Sequence, residues 1–439
     1  MQRIVLVMRL AVLAGVVLAC PVPAALAAAC GGDCDRNCSV TVDEVLTMVN
    51  VALGQSPVFE CGAGDADADE AITVDEILGG LVHALEGCAG ASCESRCRVP
   101  AGAGVNFDPE GEPCEFLSSY RFFKGNGTAQ LANERVLPYD LNTQLFSDFT
   151  AKHRFVYIPA GPAAEYDSFA SFDFPIGTVL IKTFAYPFDL RDPSAGEDLI
   201  ETRLLIRRAA GWVALPYVWN DDESDAVLRL IGKRVTVSGI DHDGVGRSYE
   251  YSVPNANQCK ECHEEQEDVV SPLGPKARNL NKEYRYADGA ENQLLRWSRA
   301  GILRGAPADP EQAPRAAVLE DPDSGTVEQR ARTYLDVNCS HCHNPGGAAR
   351  TTGLYFHIQN DDAYSLGVCK QPTAAGQGTG GFARVIDPGR PETSIIPFRM
   401  GSTQTGIAMP ELGRRRTHDE AVALIEQWIA GVGGTCGDE

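Results

Sequence analysis

Two five-residue stretches hold the side chains best suited to chemistry: Cys259-Lys260-Glu261-Cys262-His263 and Cys339-Ser340-His341-Cys342-His343. Two cysteine sulfurs separated by two residues can form thioethers with the two vinyl groups of one porphyrin. The histidine that follows at once then stands beneath the iron as proximal ligand. A Cys-x-x-Cys pair also occurs as half a zinc site, as a redox dithiol and in disulfide frameworks. A zinc site wants its second pair about 15–20 residues on, far less than the gap from Cys262 to Cys339. A dithiol leaves the adjacent histidine without a role. The spacing therefore predicts two covalently bound haem c groups, their irons held by His263 and His343.

The elements that carry these stretches must come from a chain of 439 residues, enough for two or three domains with cores of their own. Asp and Glu number 60 against 38 Lys and Arg, a net charge of −22 that argues against nucleic acid and anionic membrane surfaces. An acidic surface suits cations and a redox partner protein with a basic docking patch.

Residues 1–27 read as an export signal. Arg3 and Arg9 supply positive charge, Leu10 to Leu18 is apolar, and Ala25-Leu26-Ala27 resembles a small-residue cleavage site. The apolar run is short for a membrane anchor, and Pro21 and Pro23 follow it. The expected location is the periplasm or cell surface. Val17-Leu18-Ala19-Cys20 also resembles a lipoprotein processing box, so membrane attachment is expected only through a lipid on Cys20. Fifteen cysteines fit that oxidising setting. Those outside the signal and the two motifs are Cys30, Cys34, Cys38, Cys61, Cys88, Cys93, Cys97, Cys114, Cys369 and Cys436, and their crowding before residue 100 predicts a small module stapled by disulfides.

That module, residues 28–90, contains an internal repeat. Asp33, Asp35, Asn37, Ser39, Thr41 and Glu44 recur as Asp65, Asp67, Asp69, Ala71, Thr73 and Glu76. Val42, Val45, Leu46, Val49 and Leu53 follow the first copy at helical spacing, as do Val74, Ile77, Leu78, Leu81 and Leu85 the second. Oxygen ligands at loop positions one, three and five, closed by a carboxylate at twelve, can wrap calcium. The pattern resembles a paired EF-hand module of the dockerin type, which implies up to two Ca2+. It departs from that family at position six, where Cys38 and Glu70 replace the turn glycine, and Ala71 offers only a carbonyl. The alternative is a pair of acidic capped turns that bind no metal.

Residues 91–114 read as a linker or tied-down strap, rich in Ala, Gly and Pro. From 115 to 255 short β-rich runs recur: 154–158, 178–185, 200–208, 212–218, 234–237 and 249–253. They predict an antiparallel β domain. Its histidines, His153 and His242, are either distal haem ligands or hydrogen-bonded structural residues. Residues 256–323 form the first haem segment, with the motif on a loop and a helix over 289–303 that turns Trp297 into a core. Residues 324–439 hold a helix over 326–337 that ends at the second motif, then a Gly-rich stretch, then Met409-Pro410-Glu411-Leu412-Gly413, and a closing helix over 418–430. His341 is expected to be exposed. Arg414-Arg415-Arg416 reads as a solvated face or as partners for haem propionates.

The segment from 324 to 434 resembles class I cytochromes c, in which a helix leads into the haem motif and a loop returns a methionine. The resemblance implies His343 as proximal and Met409 as distal ligand, with thioethers at Cys339 and Cys342. A soft thioether favours reduced iron, so such a pair raises the potential relative to two histidines. Met400 is the other methionine in this half, and for either the alternative role is core packing. From about 138 to 432 the chain also resembles bacterial di-haem c-type cytochromes. That resemblance is carried by 137–142 (LPYDLN), 201–206 (ETRLLI), 274–281 (GPKARNLN) and 409–413 (MPELG). The expected fold is thus multidomain: a small α EF-hand/dockerin-like module, an antiparallel β domain and an α-helical cytochrome c-like C-terminal region. Three functions fit: an exported electron carrier, a peroxidase-like di-haem enzyme with an open coordination site at the first haem, and a calcium-dependent surface-binding protein.

Overall fold

The computed structural model describes residues 30–34, 39–56, 58–67, 69, 71–88, 97, 101–266, 269–373 and 375–437. The export signal and the loop residues Asp35 and Asn37 lie outside them. The chain divides into two compact units, residues 1–94 and 95–439.

In the first unit, α1 (Val42–Ala52) and α2 (Val74–Glu86) each begin with a capping box, Thr41 with Glu44 and Thr73 with Glu76. Each threonine accepts from the glutamate N–H, and each glutamate accepts from the threonine N–H at 2.7 Å. The core between them is small: Met48, Val51, Cys61 and Ile72. Disulfides Cys30–Cys88 and Cys34–Cys61 close it. The apolar stripes do not fill this core; Val42, Leu46, Val74, Leu78 and Leu85 are all exposed. The reason is geometric: Gly32 and Gly80 let the chain approach Met48 so closely that this one thioether fills the space between the helices.

The second unit is organised by a six-stranded antiparallel sheet. Its strands are β1 (Val136–Tyr139), β2 (Ala151–Tyr157), β4 (Val179–Pro187), β5 (Glu197–Arg208), β6 (Gly211–Trp219) and β7 (Ala226–Leu228), in that spatial order. β3 (Ala164–Glu165) lies outside it. The hairpin of β8 (Lys233–Ile240) and β9 (Gly246–Val253) packs on one end through Tyr186, Val237 and Tyr251. Because successive side chains point to opposite faces, each strand serves two cores. Val179, Ile181, Leu204 and Ile206 face a cluster with Leu117, Phe122 and Tyr217. Leu180 and Leu205 face a second cluster made with Leu280, Leu294, Trp297 and Ile302 from residues 256–323. The β region and that segment thus share one core. The strap is part of the body as well: Cys97 is bonded to Cys114, and Val105 and Phe107 pack on the first cluster.

The first motif lies on a helix, α3 (Ala256–His263), not on a loop. Asn255 caps it, with Gln258 closing a capping box, an Asn-x-x-Gln signal that the sequence already held. After it come β10 (Glu264–Gln266), β11 (Val269–Val270), α4 (Ala277–Leu280) and the hairpin of β12 (Glu283–Tyr286) with β13 (Gly289–Asn292). That hairpin uses the first residues of the expected helix 289–303, so α5 spans only Gln293–Arg299, capped by the Asn292 side chain. β14 (Leu303–Arg304) then pairs in parallel with β3. The last helices are α6 (Val327–Asn338), α7 (Ile395–Met400) and α8 (Asp419–Gly431), packed around Leu335, Phe356, Ile386, Ile425 and Trp428. Cys369–Cys436 ties the tail to them. Among the described residues no helix is long and apolar enough to cross a membrane.

Candidate haem-attachment sites

Among the described residues eight cysteines are in disulfides, while Cys259, Cys262, Cys339 and Cys342 are free thiols. Burial raises all four: Cys259 to about 11, with Glu201 and Cys262 adding to the rise, and Cys339 and Cys342 each to about 12. A redox dithiol needs the opposite, a thiol held down as thiolate. Nor do these thiols, among the described residues, gather closely enough to share one metal ion. Burial and neutral sulfurs suit thioether attachment to a porphyrin, so the donor set fits haem.

His263 and His343, the histidines that close the two motifs, are oriented from behind. His263 Nδ1 lies 2.8 Å from the Ser271 carbonyl oxygen. A carbonyl only accepts, so Nδ1 carries the proton and Nε2 is the lone-pair nitrogen that a metal needs. His343 Nδ1 lies 3.3 Å from the Thr352 hydroxyl, which itself donates to the Ala349 carbonyl and so accepts from the ring. Burial, and after it the Arg399 guanidinium, push His343 down to about 4. It is therefore neutral over the physiological range, with Phe356 packed edge-on at 5.2 Å.

Folding brings the motifs together. Cys342 feels the charge of Cys262, and His341 that of His263. Beside the second motif a small cavity with room for one water molecule is lined by Leu273, Lys276, Asn279, Asp336, Val337, Ser340 and His341. His341 is buried, not exposed, because the turn after α6 faces inward against the 273–279 segment. Its Nδ1 and the Asn279 Oδ1 are both buried without a partner there, which suits an ordered water between them.

Met409 is half-buried on a loop. Its N–H donates to the Arg399 carbonyl at 3.1 Å, and its own carbonyl accepts from Arg414 at 2.6 Å. Glu411 lies near Cys342 and Arg414 near Cys339. The methionine is thus flanked by residues next to the second motif. Met400 is buried in the α6–α8 core with Tyr334, Leu335 and Ile425. His153 pairs with Glu197 and His242 rests edge-on against Phe149, both in the β region. Trp297 is buried against Tyr139 and Phe172. The arginine run is tied down rather than left as a free face, and Arg414 lies near Cys339 of the second motif. Arg414 donates to main-chain carbonyls, Arg415 pairs with Glu250, and Arg416 with Asp241.

In the N-terminal unit, carboxylate oxygens of Asp65, Asp67 and Glu76 lie within 4.8 Å of one another. Desolvation raises Asp67, and its acidic neighbours add to the rise. Such crowding is what a cation would relieve, so the second loop fits calcium. In the first loop Asp33 and Glu44 are buried. Of the other expected ligands, Asp69 accepts from Ala71 N–H, and Thr41 and Thr73 act as caps. Ser39 belongs to the described part of the first loop.

Sequence reasoning missed the residues that join the motifs. Arg278 on α4 and Asp336 on α6 form a buried ion pair at 2.7 Å. Asn142 donates to the carbonyls of Arg278 and Asn281, and Asp140 accepts from Arg154 and Lys282. The signal available was the charged and amide residues Asp140, Asn142 and Arg278 in the segments 137–142 and 274–281 that carry the di-haem resemblance, since such groups must find partners when buried. Compared with family models, curated proteins and solved structures, the chain matches none of them.

Proposed function

We propose that the chain is an exported di-haem c-type cytochrome that passes electrons between redox partners. One observation carries the reading: the only free thiols among the described residues are two Cys-x-x-Cys pairs, each followed by a histidine whose Nδ1 faces an oxygen acceptor. A haem bound there supplies one-electron chemistry. The chain's own residues attach it, fix the imidazole tautomer and exclude water. Met409, on the loop beside the second motif, would help hold the haem there, and the C-terminal segment would work as a cytochrome c-like unit. The closeness of the motifs supports transfer between two irons within one body, which favours a carrier over a surface-binding role.

A pyridine haemochrome assay on chain matured with c-type biogenesis machinery tests this. Two covalent haems per chain are expected. A colourless protein, or zinc recovered stoichiometrically from the same cysteines, would overturn it. Carbon monoxide added to the reduced protein separates carrier from enzyme: a stoichiometric shift at one haem indicates an open site and peroxidase-like chemistry, and none indicates a carrier.

The crowded second loop supports a calcium role for the N-terminal module, with Glu76 as its closing carboxylate. Calorimetric titration of the full chain is expected to show a site that Glu76→Gln removes. No heat of binding with the native chain would overturn it.

A further inference from the structure

Three cations lie directly abreast across the central sheet. The strand register pairs Arg154 of β2 with Lys182 of β4, and Lys182 with Arg203 of β5. Lys152, two residues before Arg154, stands on the same face opposite Phe184. Directly opposed side chains have Cβ atoms about 4.5–5.5 Å apart, and like charges there repel. Two carboxylates touch the row: Asp140 on Arg154 at 3.0 Å and Glu201 on Arg203. Asp140 is shared with Lys282 at 2.9 Å.

Among the described residues Lys182, in the middle, has no carboxylate of its own within ion-pair distance. Its ammonium lies 4.6 Å from the Phe184 ring centre, while the Arg203 guanidinium lies 4.2 Å from the same ring. Lys152 donates to the Thr150 carbonyl. Desolvation, with the neighbouring cations behind it, lowers Lys152 to about 7 and holds Lys182 well below its ordinary value. Lys152, Lys182 and Arg203 nonetheless keep some water-accessible surface, so the row is not wholly sealed within the core. The row lies beside the first motif. α3 packs on β6 beside this row, and Cys259 and Cys262 both feel Arg203, Cys262 also Lys182.

We propose that the row Arg154, Lys182, Arg203, with Lys152, is a carboxylate-binding site that holds the propionates of the haem attached at Cys259 and Cys262. The inference rests on the haem reading above. An excess of desolvated cations is stable only when an anion completes it, and the porphyrin's carboxylates are the anions that the motif itself would bring.

The test uses the matured, haem-loaded protein as wild type, Lys182→Met, Lys152→Met and Lys182→Arg. A cation next to haem favours the reduced form, so Lys182→Met is expected to weaken reduction of one haem and not the other. The change should be about tenfold, which is about 59 mV for one electron. Redox-difference infrared spectra should show a shifted carboxylate band in the same variant. Lys152→Met is expected to act in the same direction, and Lys182→Arg to restore both readouts. Unchanged potentials and carboxylate bands in Lys182→Met and Lys152→Met, with two haems counted, would overturn the site and leave the cytochrome reading standing. Absence of haem would sink that reading instead. Added succinate distinguishes the source: a wild-type potential that moves with succinate, and does not in Lys182→Met, means an external carboxylate occupies the row and overturns the propionate assignment.

Discussion

Arg278 of α4 donates through Nε and Nη2 to one carboxylate oxygen of Asp336 on α6, at 2.9 and 2.7 Å, with both side chains almost wholly buried. The other oxygen of Asp336 accepts from the Ile358 N–H, and its main-chain carbonyl from the Ser340 hydroxyl inside the second motif. One ion pair thus joins the segment after the first motif to the helix that delivers the second. Buried charges left without a partner are costly. Asp336→Ala should therefore destabilise the chain by about 3–5 kcal/mol. Arg278→Met with Asp336→Leu should recover much of that loss, because no charge is then left unpaired. Urea unfolding followed by circular dichroism checks both.

Met400 and Met409 should separate by role. Met400 is buried in the α6–α8 core, whereas Met409 sits half-buried on a loop held by Arg399 and Arg414. Met409→Leu is expected to abolish the red-edge charge-transfer absorption of a thioether-ligated ferric haem and to lower that haem's potential. Met400→Leu keeps the volume and should cost less than about 1.5 kcal/mol while leaving the absorption intact. Loss of the band in Met400→Leu alone would reverse the assignment.

Asp241 gives the fold an acid-sensitive joint. Burial alone would raise its carboxyl, but hydrogen bonds from Arg416 and Tyr249 outweigh that and hold it at about 2, below its ordinary 3.8. A carboxyl depressed in the folded state stabilises fully above its unfolded pKa, and the contribution disappears as pH falls through the folded value. The loss should therefore fall between about pH 4 and pH 2, and amount to about 1 kcal/mol. Asp241→Asn should be less stable than wild type at pH 5 by that amount, with the gap closing by pH 2. Because Arg416 belongs to the C-terminal segment and Asp241 to the β8–β9 hairpin, the effect reports how firmly the two are tied.

How much of this was legible beforehand depends on the range of the cause. The strands were readable because alternation is local: the runs 200–208 and 212–218 lie within β5 and β6, and 178–185 overlaps β4 from Val179 on. α6 and α8 were readable for the same reason, through helical spacing that fills one core. The helix carrying the first motif replaces the expected loop although Asn255 and Gln258 hold its cap, since Gln258, Lys260, Glu261 and His263 leave it no apolar stripe at helical spacing. His341 and the Arg414–Arg416 run were misread because their surroundings come from residues far away in sequence, Leu273 to Asn279 for one and Asp241 and Glu250 for the other. The cation row was invisible for a stricter reason: it exists only once the strand register sets Arg154, Lys182 and Arg203 side by side.

The N-terminal unit should depend on its disulfides more than the rest of the chain. Its buried apolar cluster is four residues, Met48, Val51, Cys61 and Ile72, and one of these is itself a bridge. Most of the apolar side chains on its two helices face outward, so they add little to folding. A core of that size cannot offset the entropy of ordering two helices and their loops, and small domains of this kind are held by covalent links. Removing a native disulfide from a small domain costs about 2–5 kcal/mol. Cys30→Ser with Cys88→Ser is therefore expected to unfold residues 30–88 while the second unit stays folded. Limited proteolysis should then cut within α1 and α2 and leave a fragment beginning near residue 95. Cys369→Ser with Cys436→Ser, in a segment that shares the much larger α6–α8 core, should leave the protease pattern unchanged and lower the melting temperature only.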